Sequence, residues 1–167
     1  MKQSHVLQLA CEPLPIVRIG FIGLGNRGMA TLRRYLVIDG VEIVALCDIH
    51  RAHLDEASAV IAADGKYTPC LLNAQDGWKQ MCQRDDIDLI YIATPWQLHV
   101  EVAVYAMEHG KHVAIEVPSA NTVEECWRLV DAAERNRVHC MILENCCYDH
   151  FELTTLNMAE QGLFGEI

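Results

Sequence analysis

The sequence predicts an α/β fold, a doubly wound parallel sheet, on three observations. Short apolar runs alternate with segments of helical period along most of the chain. Runs such as 87–93 are apolar throughout rather than every second residue, as strands covered on both faces require. A glycine-rich turn, Gly23-Leu24-Gly25-Asn26-Arg27-Gly28, joins the first run to the first helix, and the second run ends in Asp48, twenty residues past the last glycine.

Residues 1–15 read as an extended lead-in, with Pro13 and Pro15 holding it open before the first strand. Strand 17–22, helix 29–38 and strand 41–47 follow. Leu54, Ala57 and Ile61 set a helix over 51–63 that Gly65 closes. A short strand at 67–72, a short helix at 78–83 and a buried strand at 87–93 come next. Thr94-Pro95 ends that strand. Val100, Ala103, Val104 and Met107 stripe a helix over 99–109, with Gly110 as its C-cap. Strand 112–115 stops at Glu116-Val117-Pro118. Thr122-Val123-Glu124-Glu125 is a capping box, and the helix it opens is expected to bury Cys126, Leu129, Val130 and Ala133. Strand 139–143 and helix 150–161 complete a domain over 16–162. Residues 163–167 read as the start of a further strand, the opening of a missing C-terminal α/β substrate domain.

At 167 residues the chain suits one domain with a full core. Apolar content of 51% and charged content of 22% exclude disorder. A net charge of −10 argues against a nucleic-acid partner. No apolar run reaches the ~20 residues that span a membrane. The patch 6–10 is too short for a secretory signal. The eight cysteines contain no C-x-x-C and fall largely in apolar patterns, so free thiols in a reducing, cytoplasmic compartment are expected, and no metal site.

The glycine run carries the chemistry. Gly23 permits the tight turn, Gly25 lets a pyrophosphate approach the backbone, and Gly28 lets the helix pack on the strand. The helix N-terminus then offers free N–H groups to phosphate. Asp48 accepts from an adenosine ribose and repels a 2′-phosphate, which favours NAD over NADP. The other informative residues also sit where strands end, where doubly wound sheets bind ligands. Trp96 either stacks on a flat ring or packs. His99 either bonds a ribose or starts a helix in water. Asn145 reaches for the nicotinamide amide. Tyr148 faces either a substrate or a domain interface. Cys146 and Cys147 read as packing residues, since nothing near them in sequence lowers a thiol pKa.

The glycine motif, T-P-x-x-x-H at 94–99, G-K-H-V at 110–113 and E-x-P at 116–118 together resemble the glucose–fructose oxidoreductase / inositol dehydrogenase family. That resemblance implies an N-terminal nucleotide-binding domain and a C-terminal domain with a large open sheet. It also implies a lysine between Glu116 and Pro118, where this chain has Val117. The runs 94–96, 106–113, 125–127 and 143–148 are similar to one branch, the NAD-dependent glycosidases of glycoside hydrolase family 109, typified by α-N-acetylgalactosaminidase. The branch implies that Asn26, Arg27, Asp48, Trp96, Gln97, Leu98, His99, Glu116, Val117 and Asn145 hold NAD; Gly23, Gly25, Gly28, Thr94 and Pro95 complete the expected cofactor set. The implied reaction oxidises C3 of the sugar, removes the C2 proton, eliminates the aglycone, adds water and reverses the oxidation. Glycosidases of this kind stand outside the two-carboxylate scheme. The catalytic acid and base are not assigned, Tyr148 being the only candidate. The expected partner is a small glycoside, and an apolar wall left bare favours a homo-oligomer. A sugar or polyol oxidoreductase and a non-catalytic NAD-binding module are the other readings.

Overall fold

The computed structural model describes residues 5–6, 9–65 and 68–166. Six parallel strands form one sheet: β1 (Val17–Ile22), β2 (Val41–Cys47), β3 (Cys70–Leu72), β4 (Leu89–Ile92), β5 (His112–Ile115) and β6 (Cys140–Ile142). Their order across the sheet is β3-β2-β1-β4-β5-β6. The chain runs outward one way from β1, then returns to β4 and runs outward the other way. The direction therefore reverses between β1 and β4, and in such sheets a crevice opens there.

The described residues form six α-helices, α1 (Asn26–Tyr35), α2 (Arg51–Ala63), α3 (Gly77–Cys82), α4 (His99–Glu108), α5 (Val123–Asn136) and α6 (His150–Glu160), and α1 to α5 pack on the two faces of the sheet. Side chains of a strand alternate between faces, and two apolar clusters result. Ile19, Phe21 and Tyr91 pack with Met29 and Leu32 of α1 and Leu54, Ala57 and Ile61 of α2. Ile22, Ile90, Ile92, Val113 and Ile115 pack with Met81, Val102, Ala106, Leu129 and Ala133. Fully burying a side chain such as Phe21 contributes roughly 1.5–3 kcal/mol. The aromatic layer is tight, with Phe21 and Tyr91 centroids 4.5 Å apart and Phe21 and Tyr35 edge-on at 5.6 Å. Arg18 fixes β1 against the start of β4: its Nε and Nη2 donate to the two oxygens of Asp88 at 2.9 and 2.7 Å. That hydrogen-bonded pair holds the Asp88 carboxyl below its usual range.

The element order is as expected, with instructive differences. The first helix begins at Asn26, inside the glycine run, because Met29 already donates to Gly25 O. The capping box of α5 is present, Glu125 N donating to Thr122 and Glu125 Oε2 accepting from Thr122 N. Its buried face is Leu129, Ala132 and Ala133, while Cys126 and Val130 are exposed. Leu129 and Ala133 are thus buried as expected, and Cys126 and Val130 lie on the outer face with the exposed Trp127. Residues 161–164 form turns, and no strand begins up to Glu166; Ile167 lies outside the described residues, as do Tyr67 and most of the segment 1–8. No helix among the described residues is long and apolar enough to cross a membrane.

A histidine pair joins β5 to the turn before β6. His139 N–H donates to His112 Nδ1 at 2.9 Å, and the rings lie 5.0 Å apart. Burial lowers the His112 pKa from its ordinary 6.5, His139 lowers it further, and Asp88 opposes them. Folding thus favours the neutral ring. Its contribution is complete above the ordinary value and is lost as pH falls through the lowered folded value. His112→Asn keeps an acceptor without a titrating ring. Between about pH 7.5 and about pH 5 the urea midpoint of the wild type is therefore expected to fall more steeply than that of His112→Asn. Parallel slopes would contradict this assignment.

Candidate functional site

The glycine loop is built by close approach. Gly23 has φ +90°, and a Cβ there would overlap the Ala93 carbonyl oxygen at the end of β4. A Cβ on Gly28 would overlap the Gly23 carbonyl oxygen. At Gly25 a Cβ would meet nothing within 4 Å, so open space lies above it. No side chain caps α1, and its first turn carries no acid. Its leading N–H groups and the positive end of the helix dipole are left for an anion.

Asp48, at the end of β2, is 9% exposed. Its Oδ2 accepts from Leu24 N at 2.7 Å, its Oδ1 from His50 N at 2.8 Å, and His53 Nδ1 lies 3.2 Å from Oδ2. The carboxylate thus stitches the glycine loop to β2 before any ligand arrives, and it keeps acceptor capacity for one. Beside it lies a cavity of about 460 Å³ whose walls include Gly23, Gly25, Asp48, His53, Trp78, Pro95 and Leu98. A second cavity, about 290 Å³, is walled by Arg27, Trp96, His99, Glu116, Val117, Glu144 and Asn145. Thr94 belongs to both. Its Oγ1 is buried and, among the described residues, has no hydrogen-bond partner. An unpaired buried hydroxyl costs roughly 1–3 kcal/mol, and a polar ligand would supply the missing bond. Two cavities that share Ala93 and Thr94 in their walls, the first with a bare glycine and a carboxylate in its own wall, fit a dinucleotide.

The structure sorts the residues that the sequence singled out. Trp96, 57% exposed, starts a 3₁₀ turn over Trp96–Leu98 in the wall of the second cavity. Leu98 lines the first cavity, and Gln97 points out beside neither. Asn26 lines a hollow with Arg33 that shares Gly25 and His53 with the first cavity. His99 starts α4, as one reading had it, but not in water. It is 1% exposed, with Nδ1 2.7 Å from Pro118 O and Nε2 2.8 Å from Thr94 O. Both nitrogens face backbone carbonyls, so the ring sits between the Thr94-Pro95 turn and the cis Val117–Pro118 peptide, in the wall of the second cavity. Glu116, 6% exposed, is likewise occupied: Arg27 Nε lies 2.8 Å from Oε2, and Tyr91 donates to Oε1 at 2.8 Å. Arg27 Nη2 donates on to Asn145 Oδ1 at 3.0 Å. Val117 is 40% exposed in the cavity wall. Tyr148 is 74% exposed and walls neither cavity.

Several contributors escaped the sequence reading. Ile49, His50, His53 and Trp78 wall the first cavity. Their signal was position alone, just past the ends of β2 and β3. Tyr91 was hidden in an aliphatic strand, where its hydroxyl was the one clue, because buried tyrosines find partners. The thiols divide differently from expectation. Cys47 and Cys82 are buried and Cys70 and Cys140 partly so, while Cys11, Cys126, Cys146 and Cys147 are exposed. Cys146 and Cys147 therefore do not pack. Burial pushes the Cys47 and Cys82 thiols up to about 12 and Cys140 to about 11. A hydrogen bond with Asp149 raises Cys146. All four are poor nucleophiles at neutral pH.

Two substitutions separate the loop's roles. Gly28→Ala should cost about 2 kcal/mol or more in a urea melt, even though alanine favours a helix by ~1 kcal/mol. Gly25→Ala should stay within ~0.5 kcal/mol of the wild type. Equal costs at the two positions would refute the packing argument.

The model of a family described as "Oxidoreductase family, NAD-binding Rossmann fold" (GFO/IDH/MocA) matches residues 17–144. An α-N-acetylgalactosaminidase from Bacteroides fragilis is 64% identical over 165 residues, which are 99% of this chain and 39% of that protein. A glycosyl hydrolase family 109 protein from Phocaeicola vulgatus is 51% identical over 167 residues, 100% of this chain and 40% of its own length. The chain thus spans about two fifths of these relatives. Among solved structures, scyllo-inositol dehydrogenase from Lactobacillus casei with bound NAD(H) and scyllo-inositol has a TM-score of 0.79 at 22% identity, covering 91% of this chain and 43% of that one. Myo-inositol 2-dehydrogenase from Lactobacillus plantarum has a TM-score of 0.76 at 25% identity, covering 91% and 43%.

Proposed function

The chain belongs to the GFO/IDH/MocA oxidoreductase family, with its NAD-binding Rossmann fold, and from that premise we propose that it is the cofactor domain of an NAD-dependent glycosidase acting on α-N-acetylgalactosaminides. The observation that carries the glycosidase reading is Val117. It lies in the wall of the second cavity, where the resemblance to sugar and inositol dehydrogenases implies a lysine. An aliphatic side chain moves no proton, so net alcohol oxidation loses its acid–base group. The 64% identity to an α-N-acetylgalactosaminidase supports the same direction and the substrate class.

NAD supplies a hydride acceptor that is restored within each turnover, so none accumulates reduced. The residues of this chain bind and orient it. Leading N–H groups of α1 and the open backbone at Gly25 receive the pyrophosphate. Asp48 receives ribose hydroxyls, and its charge opposes a 2′-phosphate. Thr94 Oγ1 gains a partner where the two cavities meet. Trp78, Pro95 and Leu98 give the first cavity an apolar wall for the adenine. Trp96, Val117 and Asn145 wall the nicotinamide end.

Calorimetry on this chain should find NAD⁺ bound at least ~10-fold more tightly than NADP⁺, about 1.4 kcal/mol. Asp48→Asn, which keeps an acceptor for Leu24 N–H, should narrow that gap. Tighter NADP⁺ binding by the wild type would sink the assignment.

For the full-length protein, turnover of an α-N-acetylgalactosaminide in deuterated water should place deuterium at C2 of the product. The C2 proton is removed and replaced on this route, whereas a two-carboxylate glycosidase leaves the C2–H bond intact. Unlabelled product would exclude elimination. Steady NADH accumulation with a free sugar would point to an oxidoreductase.

A further inference from the structure

Tyr91 walls neither cavity, yet it starts a chain of contacts that ends in one. Its ring is 0% exposed and lies against Phe21 at 4.5 Å and Tyr35 at 6.0 Å. A phenylalanine would fill the same space, so the apolar packing does not account for the hydroxyl. Burial raises the phenol pKa, and Thr31 of α1 is a second hydrogen-bond partner. The hydroxyl therefore stays protonated and donates to Glu116 Oε1 at 2.8 Å. Register explains the reach. Tyr91 pairs with Ala114 of β5, and Glu116 lies two residues farther on the same face. The small Ala114 leaves the phenol a path upward to the carboxylate.

From Glu116 the chain continues outward. Oε2 meets Arg27 Nε at 2.8 Å, and Arg27 Nη2 donates to Asn145 Oδ1 at 3.0 Å. Three contacts thus link β4, the end of β5, the first turn of α1 and the loop after β6. Glu116, Arg27 and Asn145 are all in the wall of the second cavity. None of them is a partner of Asp48, whose contacts run to Leu24, His50 and His53. The two ends of the cleft are held by separate networks. The Tyr91–Glu116 bond is buried, where linked bonds fix one another's geometry, and the Arg27–Asn145 bond carries the chain to the surface.

We propose that Tyr91 is a positioning residue for the nicotinamide end of the cleft, acting through Glu116 and Arg27 to set Asn145. This rests on the cofactor reading above. Without the hydroxyl, Glu116 Oε1 loses its buried donor, the carboxylate turns toward the cavity, and Arg27 follows it away from Asn145. The adenosine end keeps its own network and is unaffected.

The test compares NAD⁺ with ADP, which lacks the nicotinamide end, by calorimetry on wild type and Tyr91→Phe. NAD⁺ affinity should fall about tenfold, and ADP affinity should stay within about twofold. The double variant Tyr91→Phe/Asn145→Ala should bind NAD⁺ no more weakly than Asn145→Ala alone, because both changes remove one linked effect. If Tyr91→Phe does not fold, Glu116→Gln, which keeps the Tyr91 bond and weakens the Arg27 pair, should show the same NAD⁺-selective loss. Unchanged NAD⁺ binding, equal losses for both nucleotides, or additive losses in the double variant would overturn the proposal alone. Failure of the wild type to bind NAD⁺ would overturn it together with the cofactor reading.

Discussion

The contact on which the site depends is backbone against backbone, where Gly23 meets the Ala93 carbonyl at the parting of β1 and β4. Any side chain at Gly23 would hold those two strand ends apart. With hydrogen there, Gly23 N also donates to Cys47 O and Ala93 N to Ile22 O, so the ends of β2, β1 and β4 are drawn together. Gly28 then seats α1 on the Gly23 carbonyl. The helix N-terminus, the Asp48 carboxylate and the Thr94 hydroxyl follow from that closure, since each is fixed by elements that leave this junction.

Around the junction the two charged ends of the cleft are organised in parallel ways. At one end Asp48 is held by two backbone N–H groups and a histidine; at the other Glu116 is held by a phenol and a guanidinium. Each carboxylate is mostly buried and already satisfied, so neither must reorganise much to present its wall. Preorganisation of this kind lowers the cost of ordering a site when a ligand enters. His99 is buried between the two loops, its ring nitrogens 2.7 and 2.8 Å from the carbonyl oxygens of Pro118 and Thr94.

Apolar residues remain on the outer faces of α5 and α6. Val123 and Trp127 on α5 are 75% and 62% exposed, and Phe151, Leu153 and Leu156 on α6 are exposed too. No residue of α6 is buried. The core that stabilises the domain lies instead in the two clusters flanking β1, β2, β4 and β5, away from β6. The cleft is thus attached to the best-packed part of the sheet.

By itself the sequence determined the parallel sheet, the order of strands and helices, the glycine loop and the acid at the end of β2. These rest on local rules: apolar period, turn chemistry, caps, and a fixed spacing between motif residues. It also marked the strand ends as the place to look. Tertiary structure decided what the side chains there do. His99 proved to be a buried residue between two loops, Glu116 a paired carboxylate and Tyr148 a surface residue, and Tyr91 came into the site from beneath. The outward position of Cys126 and Val130 was of the same kind, since their period suited the core stripe but packing buried Leu129, Ala132 and Ala133 instead. Several of these roles depend on partners distant in sequence, 25 residues for Tyr91–Glu116 and 118 for Arg27–Asn145. No local pattern encodes them, because a side chain's hydrogen bonds are set by which strands the sheet places side by side.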